Sequence, residues 1–552
     1  MRNKRSFKGR FYFLVIILIL CLIALIWRMI DLGVLQRAFL QRQSNARAIR
    51  IVDIPAHRGM IIDRNGTPLA ISIPVDSVWV NPQMFIATPE QLETLAELLH
   101  IPYHILQSKT SNKSKRWFIY LKRHINPNLS AKIKALNIPG LFFQREYRRY
   151  YPEAEVTAHI LGFTNIDDHG QEGLELAYNS WLSGIPGKQK ILKDRLGHTI
   201  AIINTLEQPQ PGHDLALSID QRIQYLSYLE LKKTVQQYHA DSGSIVVLDV
   251  KTGEILAMVN QPSYNPNDRP TNKNNDSYRN RAVTDVFEPG STMKTFSIVS
   301  ALQSGKYKPS TKIDTNPGWF VVDGNTIKDE GINHGVLTVE GVLQKSSNIG
   351  IAKMTLALPA EHLWRVLHNI GFGELTDSGF PGEANGSLVN HLIWRPFVLA
   401  TLSFGYAVSV TPLQLACAYA EIAAGGMKYP ATFIKSNKIP SGTRVMSAKI
   451  AHEMLNMLES VVKFGGTGTR AQIPGYTVAG KTGTAYIAGS HGYNKDRHVA
   501  SFVGFAPAEN PRFVVAVVIK DPQGQDFGGL VAAPAFVHVM ARALRIYGVP
   551  PG

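Results

Sequence analysis

The chain has 552 residues, 45% of them apolar and 18% charged, with a net charge of +16. That supply of apolar residues supports two or more cored domains and excludes a disordered or low-complexity chain. The positive charge forms no single block, since its densest runs are the N-terminal tail and Gln107 to Arg116. A solvated basic surface accounts for it as well as anionic envelope polymers or lipid headgroups do, and no nucleic-acid partner is expected.

The first predicted element is a membrane anchor. A basic tail, residues 1–10, precedes the uncharged run Phe11 to Trp27, which Met29 and Ile30 extend, so residues 11–30 are assigned to the membrane. A run apolar on all faces at an extreme N-terminus is poorly suited to a buried core helix. No small-residue cleavage site follows it, and Cys21 lacks the small residue that a lipoprotein cysteine needs before it. Arg2, Lys4, Arg5, Lys8 and Arg10 outnumber Arg28, Arg37 and Arg42, which favours an N-terminus inside, although Arg47 and Arg50 weaken the contrast. Only Cys417 remains beyond the anchor, so the body can hold no intrachain disulfide. The histidines show no metal-ligand spacing, and neither metal nor cofactor is expected.

Beyond the anchor, residues 31–50 carry apolar residues at helical spacing and predict a continuing helix. Residues 55–82 alternate strand-like runs around Asn65-Gly66, a hairpin signal. Residues 86–205 are mixed, with basic helices and loops. The Pro-rich stretch Gln208 to Gly212 is the best boundary, giving a non-catalytic module over 31–210 and a second domain over 211–552. The second domain opens with a strand and a long amphipathic helix. Two apolar β runs then flank Lys251-Thr252-Gly253, which falls in a hairpin turn. Tyr264 to Asn280 reads as one exposed loop. Helical patterns fill much of 291–460, and the end returns to strands and a closing helix. Strands, helices, then strands around one sheet is an α+β arrangement.

Two motif readings compete over Gly475 to Ala485, "GYTVAGKTGTA". Its letters satisfy a phosphate-loop pattern. A phosphate loop needs a tight turn before the lysine and a helix after it. Tyr476, Thr477 and Val478 favour extended chain, Gly483 is a poor helix start, and Gly475 and Gly480 read as strand-edge punctuation.

The other reading is serine acyl transfer, which needs S-x-x-K, then S-x-N, then Lys-Thr-Gly. Each has a decoy. Ser291 and Lys294 follow Pro289-Gly290 and open a helical pattern, whereas Ser460 and Lys463 end one and read as ordinary helix surface. Ser346 and Asn348 lie where a helix–helix loop could reach Ser291, whereas Ser263 and Asn265 precede it in the polar loop. Only Ser291, Ser346 and Lys481 keep the order with suitable surroundings.

The chemistry assigns roles. Ser291 is the nucleophile at a helix N-terminus, and Lys294 is its base, with an amine depressed by burial, the helix terminus and nearby Lys481. Ser346 relays a proton to the leaving amine, Asn348 holds a substrate amide, and Lys481 supplies positive charge. Gly483, lacking a side chain, lets a peptide lie along the strand. The N–H groups of Ser291 and Thr484 form an oxyanion hole, and the hydroxyls of Thr482 and Thr484 bind a carboxylate.

These residues resemble class B penicillin-binding proteins, the monofunctional peptidoglycan transpeptidases. Arg58 to Ala70 resembles their N-terminal signature. "RRYYPEAEVTAHILGFTN" and "GQEGLELAYNSWLSGIPG" resemble the rest of their non-catalytic module, while "SFGYAVSVTPLQLACAYA" and "VVIKDPQGQDFGGLVAAPAF" are most similar to their cell-division branch. The resemblance implies an elongated mixed α/β pedestal, or dimerisation-like, module before a penicillin-binding, serine β-lactamase-like domain with an antiparallel sheet packed by helices. It implies stem peptides ending in D-Ala-D-Ala as substrates and β-lactams as inhibitors. It also implies an inner-membrane, single-pass protein with a periplasmic catalytic domain, and partnership with a SEDS-family glycan polymerase, FtsW, and other divisome proteins. An elongation-type transpeptidase is the nearest alternative. A β-lactam sensor or hydrolase shares the motifs, but Glu361, Glu374 and Glu383 are not in the setting of a water-activating glutamate. A non-catalytic membrane scaffold has no reason to keep Ser291 with Lys294.

Overall fold

The apolar start forms one unbroken helix because it contains no proline and buries no backbone polarity. In the computed structural model, which describes residues 8–40, 42, 49–111, 118–193, 199–269, 276–436, 438–489 and 492–551, helix α1 runs Lys8–Ile30. The helical span Gly9–Leu35 is 27 residues, long and apolar enough to cross a membrane, and its apolar window is not buried by the rest of the chain. The expected helical continuation holds at residues 31–35, 37–40 and 42 and fails at 49 and 50. Asp31–Leu35 is a π-helical turn, beside which Arg28 Nη1 donates to Asp31 at 2.7 Å. Ile49–Ile54 is a strand, as its β-branched residues prefer. The basic tail over 1–7, residues 43–48 and the centre of the basic run at 112–117 lie outside the described residues.

The chain forms two compact units that are not successive in sequence. One comprises residues 1–57, 74–148 and 184–212; the other comprises 58–73, 149–183 and 213–552. In the first, Ile49–Ile54, Gly187–Lys193 and Thr199–Glu207 make an antiparallel sheet with Gly187–Lys193 at its centre. A second sheet pairs the latter half of Pro68–Val80 with Ile119–Ile125. Helices Pro89–Leu99 and Pro127–Ala135 cover it around Val78, Leu95, Leu121 and Ile133.

The second unit is built on five antiparallel strands. Helix α2, Gln221–Gln237, precedes the hairpin β1, Ser242–Asp249, and β2, Ile255–Gln261. Helices α3, Lys294–Gln303, α4, Val339–Gln344, α5, Asn348–Leu356, α6, Pro412–Ala423, and α7, Ala448–Val462, follow. Strands β3, Ala479–Gly489, β4, Gly492–Ala506, and β5, Phe513–Lys520, precede the closing helix α8, Gly528–Ile546. The order is β2-β1-β5-β4-β3, so the two halves of the sheet are about 200 residues apart in sequence yet adjacent through β1 and β5. Both central strands are apolar on both faces because helices cover both. Val246 and Leu248 join the core with α3, α6 and α7, while Ile245 and Val247 join the core with α2 and α8. The α+β expectation is met, with β3 left at the sheet edge.

One sequence reading needs correction here. Tyr264 to Asn280 is not one exposed loop: Tyr264 and Asn280 are buried, and the Tyr264 hydroxyl donates to the Ala158 carbonyl at 3.1 Å, although 270–275 lie outside the described residues. Gly480 is the second residue of β3, at the start of the strand, where an added Cβ would stand 2.7 Å from the Phe502 ring.

The two segments of the second unit that come from early in the chain, 58–73 and 149–183, are tied to each other by one carboxylate. Glu175 accepts from Arg58 Nε at 2.8 Å and from Arg149 Nε at 2.6 Å, and all three side chains are at most 2% exposed. Arg58 also donates to Asn179 and Ser183, and Arg149 to the Gly59 carbonyl. Removing the carboxylate leaves two buried guanidiniums. Glu175→Ala is therefore expected to lower unfolding stability by about 3–5 kcal/mol in a urea titration.

Candidate active site

The Ser291 turn is held from three sides. Gly290–Met293 is a 3-10 turn leading into α3, so Ser291 precedes the α-helix proper and does not begin it. Gly290 has φ of +54° and donates its N–H to the Gly405 carbonyl at 3.2 Å. A Cβ at 290 would stand 2.6 Å from the Thr484 carbonyl oxygen, and one at 405 would stand 2.1 Å from the Gly290 carbonyl oxygen. From the third side, buried Tyr419 of α6 donates to the Thr292 carbonyl at 2.9 Å and meets the Thr295 hydroxyl at 2.7 Å. Among the described residues no side chain hydrogen-bonds the half-buried Ser291 hydroxyl.

Lys294 opens α3 and is 1% exposed. Its ammonium donates to the Ser346 carbonyl at 2.5 Å and to the Ser346 hydroxyl at 3.0 Å. Burial lowers its pKa to about 8, against the raising influence of Glu330 and Asp329. Lys481 of β3 is fully buried and donates to the same Ser346 hydroxyl at 3.2 Å, and to the carbonyl and hydroxyl of Thr482 at 3.1 and 3.2 Å. Its pKa lies well below the ordinary lysine value, first from burial and then from Lys294. Repulsion between the two ammoniums was expected to depress Lys294; it registers on Lys481.

Ser346 sits between α4 and α5 with φ of +58°, a left-handed conformation that a serine adopts at a cost. Asp329 braces that turn. It accepts from the Ser347 hydroxyl at 2.7 Å and from the Ile349 N–H at 3.0 Å. Asn348 donates its amide to the Lys328 carbonyl at 2.9 Å, leaving its own carbonyl oxygen to accept. The Thr482 hydroxyl meets that of Thr467 at 2.9 Å, and the Thr484 hydroxyl accepts from the Gly528 N–H at 3.2 Å. Gly483 faces the protein, which corrects the expectation that it makes room for substrate. A Cβ there would stand 2.3 Å from Ser501 Oγ, 2.9 Å from Thr292 Cγ2 and 3.0 Å from the Pro289 carbonyl oxygen.

The decoys lie apart. Lys251 occupies the β1–β2 turn, its N–H bonded to Asp249. The Ser263 hydroxyl donates to the Glu155 carbonyl. Ser460 is buried, not on the helix surface as expected, and donates to the Met457 carbonyl, while exposed Lys463 pairs with Glu459. Behind Lys481 the chain continues as strand to Gly489, so the phosphate-loop letters have no helix after them.

Residues 243–541 match the penicillin binding protein transpeptidase domain. The chain belongs to the penicillin-binding protein transpeptidase family. Residues 53–217 match the penicillin-binding protein dimerisation domain. The chain is 41% identical to the peptidoglycan D,D-transpeptidase FtsI of Escherichia coli over 98% of its own length and 92% of that protein's. It is 40% identical to the probable peptidoglycan D,D-transpeptidase PenA of Neisseria gonorrhoeae over 100% and 95%. Among solved structures, a peptidoglycan synthetase of Bifidobacterium adolescentis superposes with a TM-score of 0.72 at 28% identity, over 91% of this chain and 98% of that one. The transpeptidase domain of penicillin-binding protein 3 from Burkholderia pseudomallei is 45% identical with a TM-score of 0.56, over 61% and 97%. The two-domain class B architecture and the serine-type transpeptidase domain expected from the sequence are therefore this chain's own.

Sequence reasoning missed the family site's supports. Asp329, Thr467 and Ser501 carry no motif, and nothing local marks them; Tyr419 lies in the singled-out "SFGYAVSVTPLQLACAYA" stretch, but nothing local ties it to Thr292. Gly405 lies in the singled-out "SFGYA" stretch, but no local signal ties it to Gly290. The packing at Gly483 gives a direct test. Gly483→Ala is expected to slow acylation by fluorescent penicillin at least about tenfold and to cost about 1–3 kcal/mol of stability, with Ser501→Ala restoring part of both.

Proposed function

We propose that the protein is a septal peptidoglycan D,D-transpeptidase in which Ser291 is the nucleophile. The observation that carries this is the convergence of two buried lysines, Lys294, three residues after Ser291, and Lys481, on the Ser346 hydroxyl at 3.0 and 3.2 Å. With a pKa near 8, the Lys294 amine is neutral in a useful fraction of molecules and can take the Ser291 proton. The Ser291 oxygen then attacks the penultimate D-Ala carbonyl, and the oxyanion is held by the N–H groups of Ser291 and Thr484. The proton passes through Ser346 to the nitrogen of the departing D-Ala. A neighbouring stem's amine attacks the resulting ester, releases Ser291 and leaves a cross-link. Asn348 accepts from the donor stem's amide, and Lys481 with the Thr482 and Thr484 hydroxyls receives its terminal carboxylate. Edge strand β3 pairs with the extended donor stem. β-Lactams enter as mimics of that dipeptide and acylate Ser291.

The wider setting rests on the same relatives and on the apolar N-terminal helix. Residues 1–10 are a cytoplasmic tail, 11–30 an inner-membrane anchor, 31–210 a pedestal and 211–552 the periplasmic catalytic domain. FtsW and other divisome proteins are its partners. Hydrolysis is disfavoured because Glu361 pairs with Arg365, Glu374 lies beside His368, and Glu383 accepts from Thr376 and Ser378.

Fluorescent penicillin is expected to label the wild type and not Ser291→Ala; labelling of that variant removes Ser291 as nucleophile. Depletion in growing cells is expected to give filaments with blocked septa, whereas rounded cells would indicate the elongation role. The acylation rate is expected to rise about tenfold per pH unit below about 8, as Lys294 loses its proton, and to level above it. A rate independent of pH between 6 and 8 removes Lys294 as the base.

A further inference from the structure

A second cavity, of about 180 Å³, lies between α6 and residues 370–377 and 428–443 and includes none of the residues assigned to acyl transfer. That is below the roughly 300 Å³ at which drug-sized ligand pockets begin, so its occupant is a molecule of a few heavy atoms. Glu421 of α6 lines it. The residue is 2% exposed, and neither carboxylate oxygen has a hydrogen-bond partner. A buried carboxyl with no partner is costly to keep unless something fills its coordination.

Lys428 lines the same cavity and is the cation whose field reaches Glu421. Its ammonium lies against the cavity-lining backbone at Gly371, 2.6 Å from where a Cβ there would stand. Among the described residues it forms no hydrogen bond or ion pair, with Glu421 or any other group. The two unpartnered groups, one acidic and one cationic, dictate the ligand's shape. A simple cation would pair with Glu421 but sit in the field of Lys428, and a simple anion would pair with Lys428 and leave Glu421 without a partner. A molecule with both charges a few ångströms apart satisfies both ends.

We propose that this cavity binds a small zwitterionic α-amino acid, with its ammonium on Glu421 and its carboxylate on Lys428. Exposed Glu374 and Asp377 line the same cavity and favour entry of the ammonium end. Burial raises the Glu421 pKa, so the carboxyl holds its proton in the empty cavity, and an ammonium seated on it favours the ionised form and releases that proton. The cavity shares α6 with the support of the catalytic turn. Tyr419, two residues before Glu421 on α6, holds Thr292 and Thr295.

The test uses the full-length protein in detergent, acylated beforehand with penicillin so that the Ser291 site is closed. Glycine, L-alanine and D-alanine are titrated calorimetrically, with methylamine and acetate as the two half-ligands. At least one amino acid is expected to saturate in the millimolar range, with each half-ligand at least about tenfold weaker. Glu421→Gln and Lys428→Gln are each expected to weaken that binding at least about tenfold while labelling with penicillin like the wild type. Should Glu421→Gln fold poorly, the half-exposed Lys428→Gln decides. No saturable heat up to about 100 mM, a half-ligand binding as tightly as the amino acids, or unchanged binding in Lys428→Gln overturns the proposal.

Discussion

Two ammonium groups held out of water beside one hydroxyl set the terms for the rest of the catalytic unit. Lys294 and Lys481 are at most 1% exposed and share Ser346. Left charged, such a pair would be expelled or solvated; kept dry, its amines lose basicity. The surrounding architecture maintains the dry state. A helix core delivers Lys294, a sheet edge delivers Lys481, and Ser346 sits in a left-handed conformation between two short helices. Asp329 and Glu330 stand near enough to moderate the charge without forming an ion pair with either lysine. A direct carboxylate partner would return Lys294 toward its ordinary basicity and remove its use as a base.

The same logic separates what the sequence reveals from what it withholds. Ser291, Ser346 and Lys481 were legible because each motif has a local structural requirement that its decoy fails. Lys251 sits in a turn, and Ser460 bonds back to its own helix. Order along the chain then excluded the remaining combinations. The alternation of strands, helices and strands was legible for the same local reasons. What was hidden depends on contacts between distant segments. Gly483 is glycine because Ser501 and the Pro289–Thr292 turn occupy the place of its side chain, and no window around residue 483 contains that information. Asp329 is an ordinary loop aspartate until the fold brings Ser347 and Ile349 to it. Burial of Ser460 was misread because it ends a helix whose last turn faces the core.

Glu175 shows how one buried carboxylate can bind two segments far apart in sequence into one unit. The Pro-rich break at 208–212 suggests a single cut, yet Arg58–Ile73 and Arg149–Ser183 belong with the later unit. The two arginines tie those segments to each other through the buried anion, and other contacts carry them to the later unit: Met60 N–H donates to Asp214, Arg64 pairs with Glu254, and the Tyr264 hydroxyl donates to the Ala158 carbonyl. Composition shifts mark flexible linkers well, but they carry no trace of such a requirement.

The close approach of Gly405 to Gly290 has a consequence for how this protein can change under selection by β-lactams. The surfaces nearest Ser291 are backbone and glycine, already in contact on their far side, so substitutions there meet atoms before they meet drug. Variation compatible with folding is displaced outward, to side chains that set the tension of the turn from behind, on the residues flanking Gly405 and around Tyr419 on α6. Diversity among natural variants should therefore collect one layer away from the acylated serine, where a small shift in the turn alters the rate for a rigid bicyclic drug more than for a flexible peptide.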